Sequence, residues 1–170
     1  MTTVAAIADT HLPRGTRALP EACVERLAAA DLILHAGDLS SASFLDELRA
    51  LGPPVHAVRG NADEPALKEL LPKELVVEVE GVRLGMKHDP GPEAGREERL
   101  LAQFSGCGAV IFGHTHLPVV EQREGVWVLN PGSPTERRRG PFHAMLVLEV
   151  AAGEIRPELV RLLDTNVCSL

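Results

Sequence analysis

The sequence predicts a mixed α/β (α+β) fold in which two packed sheets, partly parallel and partly antiparallel, carry helices on their outer faces. In the first half of the chain, short aliphatic runs alternate with segments of helical spacing, which is typical of right-handed βαβ units. In the second half, β-rich runs flank glycine-containing turns at 80–81, 124–125 and 153, and such turns indicate hairpins. These two patterns together predict that the first half of the chain supplies parallel strands and the second half supplies antiparallel strands.

The first half is expected to alternate strands with helices. Proline is favoured in the first turn of a helix, so Pro20 begins one, and Val24, Leu27 and Ala28 continue it at helical spacing. Ser41 has a side chain that can cap the next helix. The predicted strands are Thr3–Ala8, Leu32–His35 and Val55–Val58, and the predicted helices are Pro20–Ala30, Ser41–Ala50 and Glu64–Leu70.

The second half is expected to consist mainly of hairpins. Because proline cannot donate to a strand ladder, Pro118 places the start of a strand at Val119, and Pro157 restricts the last strand to a sheet edge. The predicted strand pairs are Glu74–Val79 with Val82–Met86, Val119–Gln122 with Val126–Leu129, and Ala144–Val150 with Glu154–Val160; Ala109–Phe112 is a further strand and Glu93–Phe104 a helix.

Composition and charge limit the classes of partner. A chain of 170 residues, 45% hydrophobic and 24% charged, suits a single globular domain spanning 1–170. The net charge of −7 disfavours duplex nucleic acid and anionic membranes. With 3% aromatic residues, the chain also has little material for stacking on single strands. We expect neither a nucleic acid nor a membrane as partner, and the oligomeric state stays open.

Cysteine usage and the N-terminal segment indicate a cytoplasmic protein. The cysteines Cys23, Cys107 and Cys168 are odd in number and far apart, which argues against a disulfide framework and fits a reducing compartment. They are most simply small hydrophobic residues. The first residues lack the basic region of a signal peptide, and no apolar run approaches the ~18 residues that span a bilayer.

Five predicted strands run directly into polar residues that can bind metal ions. Ligands of such sheets bind beyond the carboxyl ends of the strands, so these side chains should converge at one rim. Imidazole favours transition metals over calcium or magnesium, and the absence of thiolates argues against a structural zinc site. The donors are Asp9, His11, Asp38, Asn61, His88, His114 and His116.

Seven donors exceed the needs of one tetrahedral ion. They can hold two ions about 3.5–4 Å apart if one carboxylate bridges them and offsets the repulsion between the ions. Gly37, Gly60 and Gly113 directly precede donors, and glycine permits the tight turns and close backbone approach that such a site requires.

Several of these residues also have ordinary structural interpretations. Taken singly, Asp9, Asp38 or Asn61 is a common helix cap or turn former, but the joint pattern favours a metal site. His35 and His56 lie inside strands, and His143 precedes one, so all three are predicted to be structural.

Two further groups of polar residues keep alternative interpretations. Asp63 either caps the helix that begins near Glu64 or orients a ligand histidine. Arg137, Arg138 and Arg139 form either a solvated loop or a bidentate binding site for a substrate phosphate. Arg59, which precedes Gly60, is a weaker candidate for binding a substrate phosphate.

The order Asp-x-His, Gly-Asp, Gly-Asn, His and Gly-His-x-His resembles the calcineurin-like metallophosphoesterases, above all their small single-domain bacterial and archaeal phosphodiesterases. The segment Asn130-Pro131-Gly132-Ser133 looks like the NPGS segment of that subgroup. The resemblance spans roughly residues 4 to 150. It implies a two-sheet αββα sandwich.

The resemblance also implies roles for the donors. Asp9, His11 and His116 would bind one ion, and Asn61, His88 and His114 a second, with Asp38 as the bridge. Two divalent transition-metal ions (Mn, Ni, Fe, Co or Zn, with manganese favoured) would activate a bridging hydroxide that hydrolyses a small-molecule phosphate ester, with a phosphodiester favoured. Asp38, Asn61 and His88 are the residues expected to take part in catalysis.

The sequence departs from the family pattern at two places. Many relatives have a histidine after the Gly-Asn pair that donates a proton to the leaving group, whereas this chain has Ala62. Asp89-Pro90 follows His88, where glycine is commoner, which affects the local loop more than the ligand.

Two alternatives stay open: a phosphomonoesterase or nucleotidase on the same site, or a non-catalytic scaffold similar to the retromer subunit of eukaryotes. The second is disfavoured because every ligand position is filled.

Overall fold

The structure, a computed structural model that describes residues 1–163, contains two five-stranded sheets. The strands are β1 (Thr2–Ile7), β2 (Leu32–His35), β3 (Val55–Ala57), β4 (Glu74–Val79), β5 (Val82–Lys87), β6 (Ala109–Phe112), β7 (Val119–Arg123), β8 (Val126–Asn130), β9 (His143–Ala151) and β10 (Glu154–Leu162). The helices are α1 (Glu21–Ala29), α2 (Ala42–Arg49), α3 (Pro65–Leu70) and α4 (Arg96–Gln103).

Both sheets are mixed, as the sequence predicts. The first has the order β10-β9-β1-β2-β3, with β1, β2 and β3 parallel and the last hairpin antiparallel to β1. The second has the order β4-β5-β6-β8-β7, with β5, β6 and β8 parallel and a hairpin at each side. The carboxyl ends of the parallel strands therefore lie at common edges, which is where the candidate ligands follow.

Three apolar clusters hold the layers together. The largest lies between the sheets and joins residues such as Ala6 and Leu34 of the first to Met86 and Ile111 of the second. The outer face of the first sheet packs on α1, α2 and α3, and the outer face of the second packs on α4. This is the αββα arrangement implied by the resemblance.

The sequence places most element boundaries within one or two residues. Ser41 caps α2, because its Oγ accepts the backbone N–H of Phe44 at 3.2 Å. The final strand is an edge strand, as Pro157 predicts. Cys23 and Cys107 are buried free thiols, and Cys168 lies outside the described residues. No helix within residues 1–163 is both long and apolar enough to cross a membrane.

The prediction of a helix over Glu93–Phe104 is wrong at its N-terminal end. The helix begins at Arg96, because Gly95 adopts a left-handed conformation with φ 68°. The Arg99 guanidinium donates to the carbonyl oxygens of Pro92 and Ala94, at 2.6 Å for Ala94. These contacts fix residues 90–95 as a loop beside His88.

Candidate metal centre

The structure brings all seven predicted ligands together in one connected cluster at the carboxyl ends of five strands. Asp9 and His11 follow β1, Asp38 follows β2, Asn61 follows β3, His88 follows β5, and His114 and His116 follow β6. Five of the seven are buried, whereas Asn61 and His114 are exposed at the rim. The cluster therefore has a closed base and an open side.

Asp9, His11 and His116 form the first group of donors. The Nε2 atoms of His11 and His116 lie 3.4 Å apart, and Nε2 of His116 lies 3.4 Å from Oδ1 of Asp9. The two rings are stacked, with their centroids 5.3 Å apart. Three potential ligand atoms thus face one point, within 4.8 Å of one another.

Asn61, His88 and His114 form the second group. Oδ1 of Asn61 lies 3.1 Å from Nε2 of His88 and 3.0 Å from Nδ1 of His114. One oxygen and two ring nitrogens therefore meet at this second point.

Asp38 lies between the two groups. Its Oδ2 is 3.7 Å from Nε2 of His11 and 3.3 Å from Nε2 of His88, so the same oxygen reaches a histidine of each group. Its Oδ1 accepts the backbone N–H of Ala62 at 2.7 Å, which fixes the carboxylate plane. Asp9 also lies close to both groups of donors. Besides His11 and His116, its carboxylate lies within 4.8 Å of potential ligand atoms of Asp38 and His88.

Hydrogen bonds from the backbone orient two of the imidazole rings. Nδ1 of His88 donates to the carbonyl oxygen of Ala36 at 2.8 Å, and Nδ1 of His116 donates to the carbonyl oxygen of Glu136. In each ring the other nitrogen, Nε2, is turned into the cluster. This arrangement of a metal-ligating histidine with its second nitrogen held by an acceptor is the usual one in metal sites.

The backbone of the cluster is unusual. Asp9, His11, Asp38, His114 and His116 all have φ between 48° and 69°, a left-handed region that residues other than glycine rarely adopt. Strained backbone of this kind concentrates at functional sites, where the surrounding structure enforces it. Here the strained backbone turns the alternate side chains of Asp9 and His11, and of His114 and His116, into the cluster.

The glycines that precede the donors permit this close approach. A Cβ atom on Gly60 would lie 2.0 Å from Oδ1 of Asp38, and one on Gly113 would lie 2.7 Å from the carbonyl oxygen of Ala36. Gly37 has φ 91° and lies against the ring of His88. The prediction that these glycines serve tight turns and close contacts is confirmed.

The electrostatics of the cluster favour a bound cation. Burial raises the pKa of Asp9 to about 7, and the charge of Asp38 adds to the effect. Oδ2 of Asp9 is buried and has no hydrogen-bond partner within residues 1–163. A buried carboxylate oxygen of this kind is costly unless a cation or a donor satisfies it.

The histidines complete a donor set that suits a metal ion. Burial lowers the pKa of His11 and lowers that of His116 to about 4, so both offer neutral nitrogens. Burial also acts against the charged form of His88, but Asp38 and Asp9 outweigh it and raise the pKa of His88 above its ordinary value. Burial opposes ionisation of Asp38 as well, yet its bonds to His88 and Ala62 lower its pKa to about 2.

The segment that resembles NPGS supports the cluster from below. Ser133 Oγ donates to the carbonyl oxygen of Asp9 at 2.8 Å, and Thr135 Oγ1 donates to the carbonyl oxygen of Thr10 at 2.6 Å. Asn130 Nδ2 donates to the carbonyl oxygen of Gly113 at 3.1 Å. The sequence marks this segment only through its likeness to a motif, and the structure shows that it holds the loops after β1 and β6.

Asp63 has a role that neither sequence interpretation describes. It does not cap α3, whose first residue is preceded by Glu64, and it contacts no ligand histidine among the described residues. Instead its carboxylate accepts the backbone N–H of Ser40 at 2.8 Å and that of Gly60 at 2.7 Å. It therefore joins the loops that carry Asp38 and Asn61.

The other polar residues considered at the sequence level lie around the cluster. His35 is fully buried, and its Nε2 forms a hydrogen bond with Oγ1 of Thr10 at 3.0 Å. His56 is exposed on β3. Arg137, Arg138 and Arg139 are exposed, which fits a solvated loop, and Nε of Arg138 lies 3.3 Å from Oε1 of Glu136.

Known proteins with related sequences and structures share this architecture. The model of the calcineurin-like phosphoesterase superfamily domain matches residues 2–153. A probable metallophosphoesterase of Methanothermobacter thermautotrophicus is 36% identical over 161 residues, which is 93% of this chain and 91% of the relative.

Solved structures extend the likeness to the fold. A Thermotoga maritima protein solved by solution NMR gives a TM-score of 0.75 at 34% identity, covering 95% of this chain and 100% of that one. Vps29 of Entamoeba histolytica complexed with zinc gives a TM-score of 0.73 at 25% identity, covering 94% and 98%. Both matches extend over nearly the whole of each chain.

Proposed function

The chain belongs to the calcineurin-like phosphoesterase superfamily, and from this premise we propose that it hydrolyses phosphate esters, with phosphodiesters as substrates, at a centre of two metal ions. The observation that carries the proposal is the position of Asp38, whose Oδ2 reaches a histidine of each donor group. The preference for diesters rests on the likeness of the motifs to those of small single-domain phosphodiesterases.

The residues divide between two ions as follows. Asp9, His11 and His116 would hold one, Asn61, His88 and His114 would hold the other, and Asp38 would contribute to both. This mixture of imidazole nitrogens and carboxylate or amide oxygens suits manganese, nickel, iron, cobalt or zinc, and we favour manganese. Such a pair would supply Lewis acidity and would lower the pKa of a water molecule that serves as the nucleophile.

The chain's own groups orient the ester. Oδ1 of Asn61 faces His88 and His114, which leaves its exposed amide N–H free to donate to a phosphate oxygen. The backbone N–H of Ala62 holds Asp38 in place, and the carbonyl oxygens of Ala36 and Glu136 hold the rings of His88 and His116. Because these groups are fixed before substrate arrives, they need little reorganisation during the reaction.

The proposal is tested by elemental analysis together with a panel of esters. We expect two transition-metal ions per chain and faster hydrolysis of bis(p-nitrophenyl) phosphate than of p-nitrophenyl phosphate. Faster hydrolysis of the monoester would favour a phosphomonoesterase on the same site. Protein that holds two ions but hydrolyses neither class would favour a non-catalytic scaffold and would contradict the proposal.

Removal of the metal is expected to lower the melting temperature while leaving the protein folded. The main core lies between the sheets and does not depend on the ligands. An ion at about 100 times its Kd stabilises the native state by about 2.7 kcal/mol, which corresponds to about 5–10 °C for a chain of this size. Circular dichroism before and after chelation measures both quantities, and readdition of Mn²⁺ is the control. A metal-free protein that melts at the same or a higher temperature contradicts the proposed centre.

A further inference from the structure

A cavity of about 690 Å³ lies beside the metal centre and shares Asn61 and His88 with it. Its other walls come from the end of β3, from α3, from the β4–β5 hairpin and from α4. A volume of this size is typical of small-molecule sites. The cavity is therefore placed to hold a part of the substrate that extends from the reacting phosphate.

The walls of this cavity collect an unusual share of the positive charge. The chain has three lysines, Lys68, Lys73 and Lys87, and all three line the cavity together with Arg59. The acidic residues at its walls are Glu74 and Asp89. Since the whole chain carries a net charge of −7, this concentration of lysine is local. We call this space the lysine cavity.

The four cations of the lysine cavity outnumber its two carboxylates and are not directly paired with them. Within residues 1–163, none of the four forms an ion pair with a carboxylate. Gln103 separates Lys87 from Glu74, because its amide accepts from Lys87 Nζ at 2.9 Å and donates to Glu74. Asp89 accepts the backbone N–H of Gly91 instead.

The arginines on the opposite side of the metal centre differ in this respect. Arg14, Arg17 and Arg138 all contact the carboxylate of Glu136, at 3.2, 2.7 and 3.3 Å. Burial opposes ionisation of Glu136, but its bonds to Arg17 and Arg138, together with the nearby His11, lower its pKa to about 2. The charge of these three arginines is therefore partly compensated by Glu136, whereas the cations of the lysine cavity have no carboxylate of the described residues in direct contact.

Hydrogen bonds hold the donors of the lysine cavity in defined positions. Lys68 Nζ donates to the carbonyl oxygen of Asn61 at 2.7 Å, and Arg59 donates to the carbonyl oxygen of Lys68. An ammonium group has three donors, so Lys68 and Lys87 each retain two for a ligand. Lysine is a common partner of phosphate, which it binds as a compact point charge.

We infer that the lysine cavity binds a second phosphate group of the substrate, so that the preferred substrate is a small phosphodiester that carries a further phosphate. This inference rests on the proposed function and names its substrate class. A nucleic-acid strand is disfavoured as the occupant, because the chain carries a net charge of −7 and has only 3% aromatic residues on which bases could stack.

The test compares two diesters that differ by a single phosphate. One is the p-nitrophenyl ester of thymidine 5′-phosphate, and the other is the same compound with a 3′-phosphate. We expect KM to be about 10- to 100-fold lower for the second compound, the effect of one or two charge-assisted hydrogen bonds. Nitrophenolate release measures kcat and KM for both.

Variants assign the difference to the lysines. Lys73→Ala/Lys87→Ala is expected to remove the KM advantage of the phosphorylated compound and to leave kcat for it within about threefold, since these side chains bind no reacting atom. Lys73→Arg/Lys87→Arg keeps the charge and should retain the advantage. Arg123→Ala/Arg156→Ala removes two exposed charges that do not line the cavity, and should change nothing.

The outcomes separate this inference from the proposed function. Equal KM values for the two diesters overturn the inference and leave the proposed function standing. If neither diester is hydrolysed, the proposed function fails and the inferred substrate class fails with it. Calorimetry with thymidine 3′,5′-bisphosphate and thymidine 5′-monophosphate then tests the phosphate site alone. Lysine-dependent tighter binding of the bisphosphate supports a phosphate site in the lysine cavity, and equal binding overturns it. Lysine-dependent binding of hexathymidylate that is tighter than that of the bisphosphate also overturns it, in favour of a nucleic-acid site.

Discussion

Asp38→Asn is expected to lower kcat by more than about 100-fold and to reduce the metal content below two ions per chain. Oδ2 of Asp38 reaches Nε2 of His11 at 3.7 Å and Nε2 of His88 at 3.3 Å. In the proposed centre, the substitution would remove the negative charge that offsets the repulsion between the two ions. Loss of a group that merely orients a metal ligand costs about 10- to 100-fold, so loss of the bridging ligand should exceed that range.

Asparagine is the substitution that best preserves the fold at this position. Asp38 has φ 58°, and asparagine is among the few residues other than glycine that adopt this conformation readily. Asp46→Asn is a matched control, because Asp46 is an exposed carboxylate on α2 that pairs with Arg49 at 3.2 Å. It should retain both ions and full turnover. If Asp38→Asn retains two ions and normal turnover, Asp38 is not the ligand that the two ions share.

The position of the ligands is predictable from sequence because it follows from local patterns. Each candidate donor lies within four residues of the end of an apolar run that forms a parallel strand, as Asp9 follows β1 and Asp38 follows β2. Parallel strands of one sheet end at the same edge, so the donors of each sheet are expected to lie close together there, and the packing of the two sheets joins the two sets. Gly37, which precedes Asp38, marks the same point, because a φ of 91° is a conformation that chiefly glycine adopts.

Features that depend on contacts between distant segments are not predictable in this way. The role of Asp63 depends on the backbone N–H of Ser40, in another loop, and a carboxylate beside a helix start looks the same in sequence whether it caps that helix or not. The lysine cavity is similar, since Lys68, Lys73 and Lys87 lie on three segments that only the tertiary fold brings together. The predicted start of α4 is too early because the left-handed φ of Gly95 and the bonds from Arg99 to the carbonyl oxygens of Pro92 and Ala94 are not evident from the sequence.

Ala62 is expected to make the enzyme depend strongly on the leaving group. Ala62 is exposed at the rim, next to Asn61, and its backbone N–H holds Asp38. An alanine side chain cannot donate a proton, and proton donation to a leaving group contributes about 10²–10⁴ in rate. Nitrophenolate leaves without a proton, but an alkoxide does not. The unaltered protein should therefore hydrolyse activated aryl diesters far faster than alkyl diesters.

Ala62→His places a donor at this exposed position without displacing a buried group. It should raise kcat for alkyl diesters by about 10²-fold, and for nitrophenyl diesters by less than about threefold, since the latter need no proton. Ala62→Gln is the control, because glutamine fills a similar volume but does not give up a proton. The slope of log kcat against leaving-group pKa, measured over a series of aryl and alkyl diesters, should be steep in the unaltered protein and in Ala62→Gln and shallow in Ala62→His. A slope that is shallow in all three proteins would mean that another group donates the proton. Lys68 would then be the first residue to replace, because its ammonium lies 2.7 Å from the carbonyl oxygen of Asn61.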